Sequence, residues 1–225
     1  MRPHLLACAT LVAELLLLVA LPVGAQTRGS GLSGVVLAHR AEQRMRYLGS
    51  VHEQSGTWFG GEGQLGVGHV TLRVSGVTGK LTGDTSAVNP DRSVRVSAAS
   101  LSLRPAAWLE LGADVAARRV ESSASTVVSR LFGGHFGLAI PLGLDGLTGT
   151  VRGVYYPATD VTGDEKLSLA LSGELGFSYL PSRGGIVLRL SYRFERYDYA
   201  ATTLGPARLE QVRTVAAGLG IKFGR

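Results

Sequence analysis

The sequence predicts an all-β fold: a single antiparallel, up-and-down transmembrane β-barrel of about ten strands, with eight strands as the alternative. Three observations lead there. Long segments alternate apolar with small or polar residues at a period of two, which helical periodicity does not reproduce. The connections between those segments alternate short and long. The first 25 residues read as a targeting segment, and nothing after them reaches the roughly 20 apolar residues a membrane helix needs.

Residues 1–25 combine Arg2, the apolar run Leu15–Leu21 and the small-residue pattern Val23-Gly24-Ala25. This is the pattern of a secretory signal peptide, with cleavage expected near Ala25 and a barrel over residues 26–225. The only cysteine is Cys8, inside that segment, so disulfides and Cys-ligated zinc or iron–sulfur sites are excluded from the rest of the chain.

The strands follow in chain order. Weaker candidates cover about residues 34–47, 56–67, 69–82 and 92–104. Around Val96–Leu101 the apolar phase slips by one, as a β-bulge would produce. From Trp108 to Arg118, Leu109, Leu111, Ala113, Val115 and Ala117 oppose Glu110, Gly112, Asp114, Ala116 and Arg118. Phe132, Phe136, Leu138 and Ile140 then oppose Leu131, Gly133, His135, Gly137 and Ala139, and Leu147, Val151 and Tyr155 oppose Thr148, Thr150, Arg152 and Tyr156. The clearest strand is Lys166–Leu180, with Leu167, Leu169, Leu171, Leu175, Phe177 and Tyr179 on one face. After the turn Pro181–Gly185, Ile186, Leu188, Leu190, Tyr192 and Phe194 alternate with Val187, Arg189, Ser191, Arg193 and Glu195. The last segment sets Val215, Ala217, Leu219, Ile221 and Phe223 against Thr214, Ala216, Gly218, Gly220 and Lys222. Short connections are expected at Gly66–Gly68, Arg104–Ala106, Gly143–Gly146 and Pro181–Gly185. Longer ones are expected at Gly49–Gly56, Thr82–Asp91, Glu121–Ser125, Thr159–Glu165 and Ala200–Ala207.

Composition favours lipid over water around this barrel. Charged residues make up 18% of the chain, below the roughly 25–35% of a solvated surface. The polar face is mostly Gly, Ala, Ser and Thr with isolated Arg and Glu, which suits a narrow lumen. That lumen is expected to hold a polar network of Arg73, Glu110, Asp114, Arg118, Arg152, Glu174, Arg189, Arg193 and Glu195, with Arg40, Arg44, Glu62, Glu210 and Lys222 on the same face. Aromatic girdles are expected from Trp58, Phe59, Tyr155, Tyr192, Tyr197 and Tyr199, with Tyr179 and Phe223 nearer the short turns. Arg46, Arg92, Arg196, Arg208 and Arg213 lie near the long-loop ends, where lipid phosphates could meet them.

The leader, the ten alternating segments and the ending Val215–Phe223 resemble a small bacterial outer-membrane β-barrel protein, a likeness of pattern that carries no subfamily motif. In that class the final strand is usually an assembly signal ending in an aromatic; here Phe223 is followed by Gly224 and Arg225. The resemblance implies a place in the cell outer membrane, with outer-membrane lipid and the barrel assembly machinery as partners. A monomer is favoured.

For function, the expectation is an integral outer-membrane barrel with a structural or surface-interaction role and a lumen filled by polar side chains. The alternatives are a narrow anion-favouring pore, an outer-membrane hydrolase and a soluble periplasmic ligand-binding barrel. No catalytic residue, cofactor or metal site is assigned, and the chain is not expected to be an enzyme. Ser129 and His135 share a strand face but lie about 20 Å apart at roughly 3.3 Å per residue. The histidines His39, His52, His69 and His135 have no ligand spacing. Gly60–Gly63 sits within a strand with no helix after it, which excludes a phosphate loop. The basic balance (net charge +6) comes without a basic stripe bearing interleaved aromatics, so no nucleic-acid partner is expected.

Overall fold

A computed structural model of the chain describes residues 31–83, 90–123, 125–162, 165–181, 184–202 and 206–224. The targeting segment, the cleavage point after Ala25 and Cys8 lie outside these residues. The described chain forms ten strands: β1 (Gly31–Tyr47), β2 (Ser50–Val67), β3 (Val70–Gly83), β4 (Arg92–Ala106), β5 (Leu109–Ser122), β6 (Thr126–Pro141), β7 (Leu147–Val161), β8 (Lys166–Tyr179), β9 (Gly185–Ala200) and β10 (Arg208–Gly224). Each pairs antiparallel with its sequence neighbours, and β1 pairs with β10 from Gly31↔Gly224 to Tyr47↔Arg208, which closes the barrel. Closure leaves no edge strand. Both ends of the described chain lie at one mouth, here called the terminal end. The other mouth, the loop end, carries the connections after β1, β3, β5, β7 and β9.

Strand lengths of 14 to 18 residues exceed the roughly 9–11 that suffice to cross a bilayer. The surplus has a distinct chemistry. On the terminal half the outward positions are apolar: Val36, Leu65, Val74, Phe136, Leu190 and Leu219 are all exposed. On the loop half they turn charged: Arg40, Glu42 and Arg44 on β1, Arg95 on β4, Arg119 on β5, Arg130 on β6 and Arg213 on β10. The outer wall therefore has two zones.

The bore mirrors this inversion. Its loop half carries a belt of apolar side chains, Ala41, Trp58, Leu81, Val94, Leu131, Leu167, Tyr197 and Val212, and its terminal half is mostly polar. The inversion explains the phase slip seen in the sequence of β4, and it removes the bulge expected at Val96–Leu101. There β3 and β4 stay in unbroken register from Leu81↔Arg92 to Val70↔Leu103. Inward positions change from Ser100 and Ser102 to Val96 and Val94 while outward ones change from Leu103 and Leu101 to Ser97 and Arg95.

True irregularities lie elsewhere. The β4–β5 register shifts between Leu103 and Ala106, next to Pro105. Between β6 and β7 the register shifts from Phe132↔Ala158 to Gly134↔Tyr155, next to Pro157, which has no N–H to give the ladder. Ser168 is an extra residue in β8, so Leu167 turns into the bore and leaves the face that the alternation assigned it. The expected long connection Gly49–Gly56 is also replaced. Tyr47 pairs with Ser50 across a two-residue turn, Leu48-Gly49, with φ of 48° and 81°. Positive φ at both central residues is the type I′ hairpin pattern, whose twist matches that of paired strands.

Candidate functional site

The site is the lumen. Inward side chains from all ten strands meet there, and they sort into three groups along the bore.

The first group, in the terminal half, is a chain of alternating charge. Arg73 of β3 lies 3.5 Å from Glu62 of β2. Glu62 also accepts from Arg189 of β9. Arg189 donates at 2.5 Å to Glu174 of β8, which takes Arg193 at 2.9 Å on its other oxygen. Glu195 follows at 3.7 Å from Arg193. Three guanidiniums and three carboxylates thus neutralise one another across the bore. The arrangement satisfies the rule that buried charges are paired and hydrogen-bonded.

The second group surrounds His135 of β6. Its Nδ1 meets Asp114 of β5, and Asp114 also accepts from Arg152 of β7 at 2.6 Å. Its Nε2 lies 3.1 Å from Ser102 Oγ of β4 and 3.4 Å from Glu110. Arg104 forks onto Glu110 at 3.0 and 2.8 Å. Gly112 on β5 makes the imidazole's position possible, since a β-carbon there would come within 2.5 Å of His135 Cε1.

Ser102, His135 and Asp114 have the connectivity of a nucleophile, base and orienting carboxylate. The sequence considered Ser129 as the hydroxyl partner and could not see Ser102, because the partner comes from another strand and depends on register. The wider geometry does not suit acyl transfer. Ser102 gives its proton to Glu110 at 3.0 Å, so the hydroxyl points away from the imidazole base. Ser102 is also buried, only 3% exposed. The cluster works as a polar crosslink between β4, β5, β6 and β7.

The third group is the apolar belt and the ion pair above it. Leu81 and Val212 are 0% exposed, Val94 1% and Leu131 2%, so these side chains pack closely at this level. On the loop side of the belt Arg118 pairs with Glu210, which also accepts from Gln43 at 2.5 Å. The Arg118 guanidinium stacks 4.8 Å above the Tyr197 ring.

The residues expected in the lumen network, Arg73, Glu110, Asp114, Arg118, Arg152, Glu174, Arg189, Arg193 and Glu195, all point into the bore. Glu210, at first only a companion, is the partner of Arg118. Arg40 and Arg44 stand on the outer wall instead, because the loop half carries its charges outside. Three expected girdle residues are corrected for the same reason. Trp58, Tyr197 and Tyr199 are each 4% exposed and face inward, whereas Phe59 is 60% exposed. Tyr155 and Tyr192 lie outward, and Tyr179 and Phe223 lie outward at the terminal end. Arg92 and Arg208, expected at lipid phosphates, turn into the loop-end mouth. No group of His, Cys, Asp and Glu suited to a metal ion occurs among the described residues.

No family model matches the chain. No curated protein matches it either. Solved structures similar to it are bacterial outer-membrane proteins. They include the outer membrane protease OmpT from Escherichia coli (TM-score 0.48, 6% identity, 90% of this chain and 99% of that one). Ail, the attachment invasion locus protein of Yersinia pestis, gives a TM-score of 0.37 at 15% identity over 86% of this chain and 99% of that one. The outer membrane protein OprG from Pseudomonas aeruginosa gives 0.34 at 12% identity over 88% and 97%.

Proposed function

We propose that the chain is an integral outer-membrane barrel, sealed inside, that crosses the bilayer with its terminal half and projects its loop half beyond it as a rigid surface-interaction platform. The observation that carries this reading is the two-zone outer wall. Outward apolar positions run from Phe59 to Val67 on β2, from Ile186 to Phe194 on β9 and from Val215 to Phe223 on β10. Nine residues per strand fit the roughly 9–11 of a membrane-crossing strand and an apolar band about 25 Å tall. Phe59, Tyr155 and Tyr192 border the band on one side, and Trp108, Tyr179 and Phe223 on the other. At the first border stand Arg40, Arg119, Arg130 and Arg213, with Arg40 paired opposite Val215 and Arg213 opposite Phe194, where lipid phosphates would lie. Outer-membrane lipid is then the barrel's solvent, and the barrel assembly machinery the route by which it inserts.

The interior supports a structural role over transport. A conducting path needs a continuous polar bore. Here the apolar belt narrows it, and Arg73, Glu62, Arg189, Glu174, Arg193 and Glu195 below the belt are paired across the lumen. A soluble ligand-binding barrel is disfavoured by the outer band, which would expose a contiguous apolar surface to water. A hydrolase is disfavoured by the Ser102–Glu110 bond and the burial of Ser102.

Cell fractionation with heat-modifiable gel mobility tests the placement, and planar-bilayer recording tests the seal. Recovery in the outer-membrane fraction as a folded, fast-migrating band with no discrete conductance steps is expected. Recovery as a soluble periplasmic protein would overturn the placement, and stepwise conductance would overturn the seal.

A further inference from the structure

The loop-end mouth holds a cavity of about 310 Å³ above the apolar belt, at the lower end of the size of small-molecule sites. Three guanidiniums face it, from Arg92, Arg118 and Arg208, together with two carboxylates, Glu165 and Glu210. The carboxylates are already engaged. Glu210 takes Arg118, and Glu165 takes Arg208 in a two-point pair with an Nη2–Oε2 distance of 2.6 Å. Arg208 is held further by stacking 3.9 Å over the Tyr199 ring.

Arg92 is different. Its Nη1 and Nη2 lie 3.8 and 3.9 Å from the thioether of Met45, a weak acceptor. Its Nε, like that of Arg118, is buried with no hydrogen-bond partner among the described residues. Among the described residues lining the cavity the arginines therefore outnumber the carboxylates by one, and Arg92, at the first residue of β4, is the arginine with no hydrogen-bonded carboxylate. A partly buried guanidinium is stable when a planar anion completes its donor fork. The wall beside it is apolar, built from Met45, Val120, Val127 and the Tyr199 ring.

We propose that this mouth is a binding site for a small organic monocarboxylate, whose carboxylate seats on Arg92 and whose apolar portion lies against Val120 and Val127. A single unit of excess charge favours a monoanion over a phosphate dianion. The apolar wall favours a carboxylate that carries hydrocarbon over a bare ion. The site lies at the loop-end mouth, and, resting on the platform reading above, it would make the projecting mouth a receptor surface independent of transport.

Benzoate is a suitable probe, with benzyl alcohol as its neutral counterpart and inorganic phosphate as the bare anion. Binding to the folded full-length barrel in detergent micelles is measured by titration calorimetry, alongside Arg92→Gln. Saturable benzoate binding that weakens at least about ten-fold in R92Q, with benzyl alcohol weak on both proteins, is the expected result. Equal benzoate binding by the two proteins, no saturable binding to the parent, or phosphate binding as tight as benzoate would each overturn the site. Should R92Q fail to fold, Val127→Phe fills the apolar wall and leaves Arg92 in place. Benzoate must then weaken by a similar factor, and unchanged binding contradicts the proposal.

Discussion

Gly79 of β3 stands directly against the indole of Trp58 on β2: a β-carbon at Gly79 would lie 2.1 Å from Trp58 Cδ1 and 2.7 Å from the Thr57 carbonyl oxygen. The absence of a side chain on one strand thus makes room for the largest side chain of the belt on the next. Gly79→Val is expected to prevent closure of the belt, because neither the ring nor the backbone can retreat. Heat-modifiable mobility after refolding should show most of the protein unfolded. Trp58→Ala in the same background should recover the folded band only in part, since it removes the ring but leaves the Thr57 carbonyl clash.

The ionic chain through Glu174 yields a second prediction. Glu174 is buried between Arg189 and Arg193. Glu174→Gln leaves two guanidiniums without their shared carboxylate, and stability should fall by about 3–5 kcal/mol in denaturant titrations. Asp160→Asn is the matched control. It removes the 3.3 Å pair with Arg130 on the outer wall, where both side chains are well exposed, and should change stability by no more than roughly 1 kcal/mol.

Leu48 carries the only positive φ of a non-glycine residue among the described residues, 48° at the first turn position. A left-handed conformation costs an ordinary side chain roughly 1–2 kcal/mol, and Asn tolerates it. Leu48→Asn should therefore raise the denaturant midpoint. A lowered midpoint would mean that the exposed leucine makes a contact worth more than the strain.

The outer band can be probed with a charge. Leu219 lies outward on β10, near the middle of the apolar stretch Val215–Phe223. Leu219→Arg should cost about 2–4 kcal/mol when the barrel is folded into vesicles. Arg213→Ala, on the same strand beyond the band, should leave the folding free energy nearly unchanged.

How much of this was legible in the sequence varies along each strand. On the terminal half the alternation reads directly: Val215 to Phe223 and Ile186 to Phe194 take the faces their pattern assigns, because polar-in and apolar-out hold there. On the loop half the rule inverts. Trp58, Tyr197 and Tyr199 turn inward while Arg40 and Arg44 turn outward, and a reading that assigns faces by polarity misplaces all five. Two further features are invisible to alternation. The extra residue Ser168 flips Leu167, and the Leu48-Gly49 turn lacks the Asn-Gly or Asp-Gly signal of a tight hairpin. The lumen charges could be assigned to a face but not to partners. Pairing Arg189 with both Glu62 and Glu174, or Ser102 with His135, requires the register between strands, which one chain's periodicity does not contain.

The central claim is that the terminal half is immersed in lipid and the loop half is not. Single cysteines answer it most directly, introduced in a Cys8→Ser background at Leu219 in the band and at Glu42 on the projecting wall, then exposed to a membrane-impermeant maleimide in barrel-containing vesicles. Rapid labelling at position 42 with protection at position 219, lifted when the vesicles are dissolved in denaturant, is the predicted result. Equal labelling of the two positions in intact vesicles would contradict the account.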